Sequence, residues 1–242
     1  YFLKNSEDYC FKRLVTGLEG GYLNWMFASR ISNKLNNKNK NQKFKNTFAY
    51  LLSKNKINKS NFPLFYKNKK FQVYENKAVA TNNLLICFTG QGHKLNLPLP
   101  IFNAYASRFF RYIGYFFDEN KDFYIKNNKD VIISIEKLLN IISPQNISSL
   151  GTSGGGPMAM QITKEGISSK CFVASPPLNS YCKAGGNLDK LFDFDFKKYE
   201  IVYSKDSLID KEEIISLKHS FPLYFKNCFT DLSQFSDDHS TL

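Results

Sequence analysis

The chain is 242 residues long, 43% hydrophobic and 22% charged, with 33 Lys and Arg against 21 Asp and Glu, a formal net charge of +12. That composition excludes wholesale disorder, a collagen-like repeat and a disulfide-stapled miniprotein, and the length suits one large core or one domain with an appendage. The charge is uneven: residues 1–70 hold 15 basic side chains and three acidic ones (Glu7, Asp8, Glu19), leaving 18 of each sign for residues 71–242. No apolar run approaches the ~20 residues of a membrane-spanning helix. The chain starts at Tyr1 and not Met, which raises the expectation of an upstream segment, and no secretory signal is visible in the residues given. Its five cysteines are odd in number and irregularly spaced, and Cys87, Cys171 and Cys228 sit in apolar, strand-like segments. Free thiols in a cytoplasmic protein, soluble or at most membrane-peripheral, are therefore expected.

In chain order, Tyr9 to about Asn33 carries Phe11, Leu14, Leu18, Tyr22, Trp25, Met26 and Ile31 at roughly helical spacing, broken at Gly20-Gly21, which predicts two short helices. Ser32–Lys70 has 11 lysines, no acid and many asparagines, with an apolar island at Phe44 and Phe48–Leu52 of helix length. Residues 1–70 read as a basic, mainly helical lead-in, with the island either one helix turned onto the main body or part of a solvated stretch, and the main body is expected to span residues 71–242. From there strands and helices alternate. The predicted strands are Phe71–Tyr74, Leu84–Phe88, Tyr112–Phe117, Ile147–Leu150, Cys171–Ala174, Glu200–Tyr203 and Leu223–Phe225. The predicted helices are Pro100–Phe109, Val131–Ile142, Met158–Thr163 and Lys211–Leu217. Strands separated by helices imply an α/β protein whose mostly parallel sheet is covered on both faces.

The chemistry concentrates in Ser148–Met160, where Gly151-Thr152-Ser153-Gly154-Gly155 lies between an apolar strand and a helix. This is the setting of a nucleophile elbow, in which the serine occupies a strained turn and its neighbours two residues away lack side chains so that backbones can pass closely. A phosphate-binding loop is the other use of such glycines, but no Gly-Lys-Ser/Thr ending and no Gly-x-Gly-x-x-Gly after the first strand is present. A serine needs a base, and the base an orienting acid. Of the three histidines, His93 lies in the Thr89–His93 loop, His219 ends a helix, and His239 follows the last predicted strand, where the serine, acid, histidine order of an elbow enzyme places the base. Asp206 comes first past the penultimate strand and is the expected acid; Asp210, the alternative, reads better as the N-cap of the next helix, with Glu213 completing a capping box. The Gly154 amide is one expected oxyanion donor and that of Gln91, in the glycine-bearing loop after Leu84–Phe88, the second, with His93 lining the pocket. No metal ligand set is expected.

These elements resemble the α/β-hydrolase superfamily over about residues 71–242, and within it the small bacterial O-acetyltransferases that modify capsular polysaccharides. The features that carry the likeness are the strand-Gly-x-Ser-x-Gly-helix segment, the Lys205-Asp206-Ser207 turn, the late His239 and the stretch Phe117–Tyr124. Only three residues follow His239, so the closing helix usual in that fold is missing or lies outside these residues. The resemblance implies a serine acyl-transfer enzyme with no bound cofactor, acetyl-CoA as co-substrate and an anionic surface or capsular glycan as acceptor. Water in place of the sugar hydroxyl would make it an esterase. The basic residues 32–70 would suit the glycan, a membrane surface or an assembly complex. A non-catalytic protein of the same fold that binds an anionic partner is the remaining alternative. A nucleic-acid partner is not expected, because no nucleic-acid module matches and arginine is scarce.

Overall fold

The structure, a computed structural model, describes residues 63–90, 106, 109–193, 195–203 and 207–231. Eight strands form one sheet: β1 (Leu64–Lys67), β2 (Phe71–Glu75), β3 (Asn83–Phe88), β4 (Tyr112–Phe116), β5 (Asn146–Thr152), β6 (Lys170–Ala174), β7 (Tyr199–Tyr203) and β8 (Phe229–Asp231). Their order is β1-β2-β4-β3-β5-β6-β7-β8. β1 pairs antiparallel with β2 and β2 with β4, and every other pair is parallel. β3, β4, β5, β6 and β7 therefore end at one common edge, and the connections that leave them there are neighbours in space.

Alternation along each strand makes the sheet two-sided. Leu84, Ile86 and Phe88 belong to the same buried cluster as Val131, Ile135, Leu138 and Ile142 of helix α1 (Asn128–Ile142). Those four recur at i, i+4, i+7 and i+11, a single apolar stripe, and each is worth about 1.5–3 kcal/mol when fully buried. Helix α2 (Gly156–Lys164) lies on the same face, where Ser149 Oγ reaches the Ala159 carbonyl at 3.1 Å and Thr163 Oγ1 at 2.9 Å. The residues between, Leu85, Cys87, Ile113, Tyr115, Phe172 and Val202, point to the opposite face and are buried as well. A doubly covered, mostly parallel sheet is the architecture the alternating pattern predicts.

Two local expectations change. The sheet starts at Leu64, seven residues before the expected beginning of the main body, because Leu64-Phe65-Tyr66 forms an edge strand whose side chains are all exposed and so carries no buried alternation to read. Leu223–Phe225 is not a strand: it lies in helix α5 (Pro222–Cys228), and the last strand is Phe229–Asp231, beside β7. Pro222 at the helix start has a preset φ and no N–H to offer a ladder, which favours the helix over the β propensity of the residues behind it. The expected helix Pro100–Phe109 falls mostly outside the described residues, with Ala106 helical and buried. Cys87, Cys171 and Cys228 are free and buried, and Cys182 is free and exposed. Burial pushes the Cys171 thiol up to about 12. No helix among the described residues is long and apolar enough to cross a membrane.

Candidate active site

At the common edge β5 delivers Thr152 in extended conformation, and Ser153 then turns the chain with φ at +46° into a short 3-10 turn, Ser153–Gly155, that feeds α2. A left-handed φ at a residue with a side chain costs about 1–3 kcal/mol and survives only where the surroundings leave no alternative. Here they leave none. A Cβ on Gly151 would stand 2.6 Å from the Gly155 carbonyl oxygen and from Gly156 Cα, and one on Gly155 would stand 2.2 Å from the Phe88 carbonyl oxygen. The strand, the helix and the end of β3 thus touch backbone to backbone around Ser153. Ser153 is half-buried and Gly154 buried, and both sit where the backbone turns into α2, whose N-terminal amides and dipole favour negative charge.

The end of β3 reaches the same point. A Cβ on Gly90 would lie 3.3 Å from Ser153 Cβ and 3.8 Å from the Gly154 nitrogen, so the loop expected to supply the second oxyanion donor begins against the serine. Gln91 and His93 lie outside the described residues, as do Asp206 and His239. Their places in the chain are nonetheless bounded. β7 ends at Tyr203 at the elbow's edge and helix α4 (Leu208–Ser220) departs from there, so Asp206 belongs to the connection between them. His239 follows the end of β8 by eight residues.

The expectation for Asp210 and Glu213 is corrected. The N-cap of α4 is Ser207, whose Oγ accepts the Asp210 N–H at 3.3 Å. Asp210 is fully buried and accepts a hydrogen bond from Ser175 Oγ at 2.9 Å, tying α4 to the end of β6. Ser175 itself is left-handed, with φ at +47°, and its N–H donates to the Val202 carbonyl at 2.7 Å. Glu213 accepts the Asn179 N–H at 2.8 Å and so caps helix α3 (Leu178–Lys183) instead of its own. Burial holds the Glu213 carboxyl above the usual range against the opposing effect of those amides. The sequence carried no sign of this, because a carboxylate capping a different helix leaves no local spacing. His219 is exposed on the last turn of α4, roughly 16 Å along the helix from its start, at the opposite edge of the sheet.

The segment after β4 also packs at the edge. Asp118 is buried and accepts the Tyr124 N–H at 3.2 Å, and burial raises its carboxyl above the usual range. No group of three or more His, Cys, Asp or Glu placed to hold a metal occurs among the described residues.

Strand order, the reversed β2 and a strained serine between β5 and the helix behind it define a protein of the α/β-hydrolase fold. No family model matches the chain, and no curated protein matches it. Among solved structures, it is similar to an α/β serine hydrolase homologue from Coxiella burnetii, with 10% identity, a TM-score of 0.48, and coverage of 71% of this chain and 86% of that one. It is also similar to a candidate esterase from Staphylococcus aureus, at 11% identity, TM-score 0.47, 80% and 84% covered. A third is XC6422 from Xanthomonas campestris, an α/β serine hydrolase without lid, at 12% identity, TM-score 0.43, 67% and 77% covered.

Proposed function

We propose that the chain is a serine acyl-transfer enzyme with Ser153 as nucleophile, His239 as base and Asp206 as the carboxylate that orients it. The observation that carries this reading is Ser153 at φ +46° between two glycines whose Cβ positions are closed by backbone. A fold has no packing reason to strain a half-exposed serine there, and an elbow that presents an Oγ to solvent has one. Ser153 Oγ attacks the acyl carbonyl and passes its proton to His239. The oxyanion that forms is met by the Gly154 and Gln91 amides, and the leaving group departs with the proton from His239. An incoming hydroxyl then gives its proton to His239, attacks the acyl-serine and releases the product, restoring Ser153.

For the acceptor we propose a sugar hydroxyl on an anionic surface or capsular glycan, with acetyl-CoA as donor and the CoA thiol as first leaving group. The support is the resemblance carried by Phe117–Tyr124 and the Lys205-Asp206-Ser207 turn, together with the basic lead-in. Residues 1–62 hold 12 basic and three acidic side chains, a field that attracts a polyanion or an anionic membrane surface in a salt-dependent way. Hydrolysis of an ester by the same residues, with water as acceptor, is the second reading.

A fluorophosphonate probe should label the protein at Ser153 and not label Ser153→Ala; a folded protein that stays unlabelled sinks the enzyme reading. Acetyl-CoA turnover should then rise when acidic oligosaccharides are added. Turnover that no acceptor accelerates would favour the esterase.

A further inference from the structure

We propose that Tyr124 is a positioning residue whose hydroxyl fixes the peptide plane between Thr89 and Gly90, and with it the approach of the oxyanion loop to Ser153. The inference rests on the serine acyl-transfer reading above.

Tyr124 sits in a segment of unusual backbone. Lys121, Phe123 and Tyr124 have φ of +53°, +64° and +63°, three left-handed residues with side chains within four positions. Strain of that kind persists only where the surroundings fix it, and the buried Asp118 carboxylate does so by accepting the Tyr124 N–H. The result aims the Tyr124 ring inward, 1% exposed, in a T-shaped contact with Phe88 at 5.4 Å between centroids. Its hydroxyl lies 2.8 Å from the Phe116 carbonyl oxygen and 3.1 Å from that of Thr89, so one proton serves the ends of two adjacent strands, β4 and β3. Thr89 closes the same joint from its own side, with its N–H and Oγ1 each donating to the Phe116 carbonyl at 3.2 Å.

The other side of this backbone is the elbow. Carbonyl oxygens of Phe88 and Thr89 stand 2.2 and 2.8 Å from where a Gly155 Cβ would be, and Gly90 abuts Ser153 and Gly154. Phe88–Gly90 is thus held between the Tyr124 hydroxyl and the nucleophile turn. Phenylalanine would fill the same volume as tyrosine. What the hydroxyl adds is direction: the Thr89 C=O and the Gly90 N–H share one planar trans peptide, so holding the carbonyl oxygen sets where the N–H points. An oxyanion hole depends on such angles, because its donors must meet a charge that exists only in the transition state.

The test is Tyr124→Phe in the full chain, with Tyr112→Phe as control. Tyr112 is also buried, and its hydroxyl donates to Glu75 Oε1 at 3.3 Å, at the opposite end of β4. Labelling by a fluorophosphonate and kcat on p-nitrophenyl acetate should fall about tenfold in Tyr124→Phe, less than the 10²–10³ of deleting a donor outright. KM should stay within about twofold, since the ground-state carbonyl is not what the hole binds, and Tyr112→Phe should match wild type in both. A folded Tyr124→Phe that labels and turns over within about twofold of wild type overturns the inference. So would an equal fall in the Tyr112→Phe control. Should Tyr124→Phe not fold, Asp118→Asn loosens the Tyr124 backbone while keeping its hydroxyl. A slower labelling rate with unchanged KM is then expected, and a wild-type rate overturns the proposal. Wild-type protein unlabelled at Ser153 would instead fell the serine reading itself, so the two failures are distinguishable.

Discussion

Replacing Gly155 with alanine puts the steric logic of the elbow to a quantitative test. The added Cβ would lie 2.2 Å from the Phe88 carbonyl oxygen, 2.5 Å from its carbon and 2.8 Å from the Thr89 carbonyl oxygen, all backbone. Ordinary contact begins near 3.4 Å, so β3 and the elbow would have to part by more than 1 Å at the middle of the sheet, where Phe88 is fully buried. Overpacking a well-filled core costs typically 1–3 kcal/mol and more where no side chain can swing away, so about 3 kcal/mol or more is expected. At about 2–4 °C per kcal/mol for a protein of this size, the melting temperature should drop by roughly 6–12 °C. Two further glycines calibrate the result. A Cβ on Gly90 meets the Thr152 carbonyl oxygen at 3.1 Å and Ser153 Cβ at 3.3 Å, a conflict of a few tenths of an ångström. Gly90→Ala should therefore melt within a few degrees of wild type yet label more slowly with a fluorophosphonate, because the shift falls on Ser153, the proposed nucleophile. Gly166, at φ +77° with open space around it, isolates backbone strain alone, and Gly166→Ala should lose about 1 kcal/mol with labelling intact. Thermal melts by circular dichroism and labelling rates on the same samples give both readouts. If Gly155→Ala melts within about 2 °C of wild type, the close approach of β3 to the elbow is not a constraint and the reasoning fails.

Asp206→Asn should cut kcat by about 10³–10⁴ with the melting temperature nearly unchanged, as expected of a triad acid whose loss leaves the imidazole misoriented. Asp210→Ala should do the reverse, costing about 1–3 kcal/mol by stranding the buried Ser175 hydroxyl while sparing most of kcat; the reversed pattern would exchange their roles. Glu200, half-buried on β7, has its carboxyl pushed up to about 7 by burial, with Lys170 opposing. Its raised folded-state pKa means the native state holds the proton more tightly. Stability is then full below about pH 4.3 and declines as pH rises to about 7, by about 1–2 kcal/mol once solvent at the partly exposed carboxyl is allowed for. Glu200→Gln should flatten melting temperature against pH between 5 and 8, and an unchanged slope would discard this assignment. Changing Lys34, Lys38, Lys40, Lys43 and Lys45 to glutamine in the full chain should weaken retention on an acidic polysaccharide at low salt without altering Ser153 labelling; equal retention would remove the electrostatic role of the lead-in.

What the sequence disclosed and what it hid divide along a physical line. Strands buried on both faces were legible, since an apolar run such as Leu84–Phe88 between turn residues has few other uses, and Gly151-x-Ser153-x-Gly155 was legible because its constraint is local and steric. Edge strands were not. Leu64–Lys67 is exposed on both sides and hides among lysines and asparagines, and Leu223–Phe225 looked like a strand until Pro222 committed it to a helix. Polar partnerships across the fold were also illegible. Asp210 and Glu213 are spaced like a capping box, yet each spends its carboxylate on another element, Ser175 at the end of β6 and Asn179 on α3. Tyr124 belongs to the same group: nothing in Phe117–Tyr124 announces a hydroxyl that reaches Thr89, since its reach depends on three left-handed residues held by Asp118.

That distribution bears on how the elbow can work. The steric half of the site, two glycines and a strained serine, is enforced by contacts of a few ångströms along one segment and survives any change elsewhere that leaves the sheet intact. The angular half is enforced from a distance, by the Tyr124 hydroxyl, which reaches the ends of β3 and β4. Loss of the first should cost folding, as Gly155→Ala is expected to show. Loss of the second should cost rate before stability, because the transition state reads angles that the resting fold does not. A set of variants in which every loss of rate tracked a proportional loss of melting temperature would contradict this separation, and with it the assignment of Tyr124 to positioning and not to the core.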